Sequence, residues 1–203
     1  MNRVRKNPRV LLREIAWNTG ERMPEILLGL LFLLGIFLGA LMYRYMDERM
    51  RMTLQLIFQS GIEQTDGTFG FSIFFSDAVL LAVVFFCGFC AIAQPVIFAI
   101  PVFKGLGNGL VLGNLYAVWG FAAVPYICVK LLPHYLVYTI ILISACREAY
   151  FLSRRISGQI RGGSGPPLRI TAYIIKFLWY MLVTFIVCMI SSYLLSRIPI
   201  RIV

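Results

Sequence analysis

Charge and catalytic side chains are what this sequence has least of. Of its 203 residues 14% are charged, only 9 are acidic, and there is 1 histidine, against about 25% charged residues in an ordinary soluble domain. The patterns HExxH, GxSxG and GxxxxGK[ST] are missing, and no pair of carboxylates stands at helical spacing inside an apolar run. These absences argue against an enzyme, so no catalytic residue, cofactor or metal site is expected. The 5 cysteines all fall in apolar runs. Cys87 and Cys90 form a CxxC, but no second CxxC or histidine pair accompanies it, and the group reads best as small buried hydrophobes. No small-residue cleavage site follows the first apolar run, so a removed signal peptide is not expected. No repeat of fixed period is visible.

What the sequence has in excess is apolar surface. Hydrophobic residues make up 60%, and the mean hydropathy is +0.82. The excess comes in runs of roughly 20 residues, the length that crosses a bilayer as a helix. A disordered chain, a secreted disulfide scaffold and an ordinary cytosolic enzyme are excluded. The expected fold class is all-α: a polytopic integral membrane helical bundle forming a single domain over 1–203, with about five transmembrane helices and an amphipathic interfacial helix. The spans are expected at 24–43, with Pro24 in the first helical turn; at 77–98, with Asp77 as N-cap; and at 106–132, 133–152 and 170–195. Gly120 and Pro125 interrupt the third run, which reads equally as one helix or two half-helices.

The 19 basic residues outnumber the acidic ones and give a formal charge of +10. No basic face interleaved with exposed aromatics appears, so nucleic acid is not an expected partner; membrane lipid is. With the N-terminus inside, the basic tail 1–23 and the basic loop 153–169 share one side. Only Arg44, Arg49, Arg51, Lys130, Arg197 and Arg201 fall outside, which leaves 13 of the 19 basic residues inside. The positive-inside bias thus favours a multi-pass membrane protein with a cytoplasmic N-terminus and an outer loop at 44–76.

Three features carry functional expectations. Gly105, Gly109 and Gly113 recur every four residues, as do Gly35 and Gly39, so each set lies on one helix face and admits a second backbone. That face serves packing within the chain or self-association. Polar groups at or near membrane depth are costly in lipid and mark candidate sites: Asp77, Gln94, Lys104, Asn108, Asn114, His134, Arg147 and Glu148. Lys104 is expected near a span end, its side chain snorkelling to water, and His134 at an interface. Arg147 and Glu148 are adjacent, so each needs a partner on another segment. Finally Met46, Met50, Leu54 and Ile57 recur at helical spacing beyond the first span, as in a helix lying on the outer membrane surface and facing partners.

The stretch from Ser76 to Leu152 resembles the stage II sporulation protein M family in the span start at Asp77, the array KGLGNGLVLG and the Leu-Pro-His at 132–134. Many members carry Asn in place of Asp77, and Glu in place of Tyr138. The resemblance implies a non-enzymatic membrane scaffold that localises and holds peptidoglycan hydrolase partners on the outer side during engulfment. The rival reading is a permease-like component that uses Gln94, Asn108, Asn114 and His134 around a broken third span.

Overall fold

The computed structural model describes residues 8–63, 68–160 and 170–197, with side chains essentially from Met23 onward. All described elements are helical. They are α1 (Pro8–Tyr45), α2 (Glu48–Glu63), α3 (Thr68–Phe89), α4 (Gln94–Trp119), the 3-10 turn Gly120–Ala122, α5 (Ala123–Tyr126), a π turn at Ile127–Leu131, α6 (Leu132–Ile160) and α7 (Ile170–Arg197).

Four described helices are long and apolar enough to cross a membrane: Met23–Tyr45, Gln94–Trp119, Leu132–Ile160 and Ile170–Tyr193. The apolar section of α3 is shorter, Phe74–Phe89. The bundle is a helical membrane domain whose apolar side chains divide in two. Leu28, Leu81, Val84, Ile97, Tyr138, Leu142 and Phe177 form the core, while Leu30, Phe37, Phe86, Ile140, Leu178 and Trp179 point outward. Outward leucines and aromatics on every long helix are what a lipid solvent requires.

Several boundaries differ from those read in the sequence. Pro24 does not start a helix; it sits inside α1, which begins at Pro8. Asp77 is no N-cap, because α3 begins nine positions earlier at Thr68 and carries it in mid-helix. The second run ends at Phe89, and Gln94-Pro95 opens α4, where a proline in the first turn costs no hydrogen bond. The third run is not one helix: from Leu106 to Trp119 it continues α4, and at Gly120 it breaks into the 3-10 turn, α5 and the π turn, while Lys104 lies in the interior of α4 instead of in a loop. Gly120 ends α4 with φ +55°, a conformation that strains any side chain, while its N–H is taken by the carbonyl of Tyr116. The π turn before α6 accommodates Pro133, whose missing N–H would break a regular helical ladder there.

The closest helix pair is α1 with α4, and glycine makes it so. A methyl group added to Gly35 would lie 3.1 Å from the Cα of Gly105, and one on Gly109 would lie 3.0 Å from the Cα of Gly39; each would also strike a backbone carbonyl of the facing helix. Gly113 gives room to the Tyr43 ring. In lipid, where apolar side chains gain nothing by leaving the solvent, this backbone-to-backbone approach is the principal attraction between helices. On the other flank α3 meets α7 through rings: Phe85 stacks on Tyr173 at 5.4 Å, and the Tyr173 hydroxyl donates to the Phe85 carbonyl at 3.0 Å beside Gly88.

Candidate functional site

The buried polar residues converge on one place between α3, α4, α6 and α7. Asp77 on α3 is 1% exposed. Its Oδ1 accepts from the Lys104 Nζ of α4 at 2.6 Å. From α6 the Tyr138 hydroxyl donates to the Asp77 carbonyl at 3.1 Å, and the Lys104 ammonium lies 4.7 Å from the centre of the Tyr138 ring. One turn earlier on α6, His134 is buried parallel to the Tyr138 ring, with its Nε2 3.5 Å from Asp77 Oδ2. Cys188 of α7 completes the group, its Sγ 3.5 Å from the same His134 Nε2.

Lys104 thus lies in the interior of α4, and His134 is the third residue of α6, both facing Asp77 inside the bundle. The Lys104 side chain is largely covered, and a carboxylate one helix away neutralises it. A buried carboxylate facing an ammonium at this distance stabilises the pair only because both charges are present. The Oδ2 oxygen of Asp77 is different: it is buried and has no hydrogen-bond partner.

The other polar candidates are dispersed. Gln94 is the first residue of α4, 20 positions from Asn114, or about 30 Å along the helix. Asn114 accepts from the Tyr43 hydroxyl at 3.1 Å and ties α4 to α1. Asn108 is buried on α4. Arg147 donates to Glu25 of α1 at 2.7 Å, and Glu148 accepts from Lys176 of α7 at 2.6 Å, so the neighbours on α6 reach in two directions. Asn114, Arg147 and Glu148 thus pin helices together, and the group is spread along the bundle.

At the end of α1 the chain turns at Met46 and Asp47, and α2 starts as a separate helix with Asp47 Oδ1 accepting from the Glu48 N–H at 2.9 Å. Arg51 folds back to donate to the Arg44 carbonyl at 2.5 Å, with its guanidinium 5.5 Å from the centre of the Tyr43 ring. Of the expected stripe, Met46 and Leu54 are half-buried and Met50 is exposed; the Ile57 side chain lies outside the described part. Met52 and Leu56, absent from that stripe, are also exposed.

Sequence reasoning missed Glu25, Tyr138, Lys176 and Cys188 as partners. One signal was present: Asp77 and Lys104 are opposite charges on successive apolar segments.

Residues 28–194 match the family model for stage II sporulation protein M. The match spans the glycine contacts and every residue of the Asp77 cluster. The chain matches no curated protein and no solved structure at a significant level.

Proposed function

The chain belongs to the stage II sporulation protein M family, and on that premise we propose that it is a membrane scaffold, without catalytic activity of its own, that localises and holds peptidoglycan-degrading partners during sporulation engulfment. It sits in the bacterial cell membrane with its N-terminus and the 153–169 loop in the cytoplasm. The partners are held on the outer side by the 44–76 segment. The observation that supports this reading most is the separation of α2 from α1. It sets a short helix, with Met50, Met52 and Leu56 exposed, at the end of the bundle where the outer loop is expected. The ion pairs Asp77–Lys104, Arg147–Glu25 and Glu148–Lys176 each join two helices, as suits a frame that holds its shape.

The test is recovery of the tagged protein from sporulating cells after mild crosslinking. Wall hydrolases should be enriched with it over an unrelated membrane protein carrying the same tag. Recovery of the chain without any wall hydrolase would remove the proposal.

A further inference from the structure

We propose that Asp77, His134 and Cys188 form a binding site for one thiolate-preferring transition-metal ion of the zinc class, which clasps α3, α6 and α7 together. The inference is independent of the scaffold role.

Three observations carry it. Their donor atoms, one per helix, all lie within 4.8 Å of one another, and all three residues are buried. The two separations from His134 Nε2 are those of a coordination polyhedron. Zinc–nitrogen, zinc–oxygen and zinc–sulfur bonds of about 2.0, 2.1 and 2.3 Å at tetrahedral angles place N and O about 3.4 Å apart and N and S about 3.5 Å apart. The structure has 3.5 Å for His134 Nε2 to Asp77 Oδ2 and 3.5 Å for His134 Nε2 to Cys188 Sγ. Finally, Asp77 Oδ2 is buried and unpartnered, yet it faces the histidine nitrogen at a distance too long for a good hydrogen bond. A buried carboxylate oxygen in that state lacks a ligand, and a cation between it, the imidazole and the sulfur supplies one.

The surroundings suit the ion. Lys104 holds Asp77 Oδ1, leaving Oδ2 directed at the site, as outer partners of ligating carboxylates do. Tyr138 fixes the backbone of Asp77 and lies parallel to the His134 ring. Binding uses the lone pair of neutral His134 Nε2 and converts the Cys188 thiol to thiolate, its proton passing to solvent. With the Lys104 ammonium on Asp77, the carboxylate and thiolate reduce the charge of the loaded site to +1. A set of one sulfur, one nitrogen and one oxygen favours zinc over magnesium or calcium, which take oxygen ligands. Three protein ligands leave the fourth position to water.

The experiment uses the full chain in detergent, with Cys87, Cys90 and Cys128 changed to serine so that accessible thiols do not compete. Bound metal is counted by mass spectrometry, and cobalt(II) is added as a spectroscopic probe. One cobalt per chain should bind with a sulfur-to-metal charge-transfer band, and zinc should displace it. Cys188→Ser should abolish the band, His134→Ala should weaken zinc binding at least tenfold, and Cys146→Ala should change neither. Should Cys188→Ser fail to accumulate, zinc protection of Cys188 from thiol labelling in the parent decides the matter. Failure of cobalt and zinc to bind stoichiometrically, a band that survives Cys188→Ser, or unprotected Cys188 at saturating zinc would each overturn the site.

Discussion

Lys104 Nζ lies 2.6 Å from Asp77 Oδ1, an ion pair across 27 positions of sequence that joins the interiors of two apolar helices. Each charge is tolerable there because of the other.

Lys104→Met should therefore cost about 3–5 kcal/mol, since it strands the Asp77 carboxylate in the core. Removing both charges with Asp77→Leu and Lys104→Met should recover most of that loss, because a well-packed apolar pair can replace a buried ion pair. Glu148→Gln breaks a pair whose lysine is half exposed and should cost less than about 1 kcal/mol. Thermal unfolding of the purified variants in detergent, without added metal, measures all three. A Lys104→Met protein as stable as its parent would show that the pair is not a structural tie.

The glycine seam predicts a sharp contrast between neighbours. Gly109 faces Gly39 across the α1–α4 contact, whereas a Cβ at Gly107 meets nothing within 4 Å. Gly109→Leu should separate the helices, at a cost above the about 1–3 kcal/mol of ordinary overpacking, and cut folded protein in the membrane severely. Gly107→Ala should be neutral or slightly stabilising, because alanine favours helix. Equal accumulation of the two variants would contradict the contact.

How far the fold could be read from sequence follows from the range of the forces. The helical class and the glycine seam show plainly, because span length and a four-residue spacing are local properties. The Asp77 cluster does not, because its members come from four helices and lie up to 111 positions apart between Asp77 and Cys188. Asp77 imitates an N-cap because the residues before it, Gly70, Ser72 and Ser76, dilute the apolar run that in fact belongs to the same helix. Pro24 imitates a helix start for a similar reason: charged residues precede it, yet α1 runs through it. Pairings such as Arg147 with Glu25 become readable only when the packing is known.

Orientation is the next expectation. Lys104, Arg147 and Lys176 lie well inside α4, α6 and α7 and so leave the loop charges, whereas Arg154 and Arg155 lie in the last two turns of α6, which lead into the 161–169 segment. The basic tail and the 153–169 loop still carry most of the remainder, which favours a cytoplasmic position for both. With single cysteines introduced at Ser164 and at Thr65 in a background without accessible thiols, an impermeant thiol reagent added to intact cells should label position 65 and spare position 164. The opposite pattern would invert the topology.

The scaffold role stands or falls most directly on α2. Met52→Glu with Leu56→Glu changes two exposed side chains that the bundle core does not use, so insertion and accumulation should match the parent. Docking through that face should be lost. Each apolar side chain it buries is worth about 1.5–3 kcal/mol, so recovery of wall hydrolases with the tagged double variant from sporulating cells should fall about tenfold or more. Unchanged hydrolase recovery from a normally inserted double variant would contradict the proposal that the chain holds its partners through this helix.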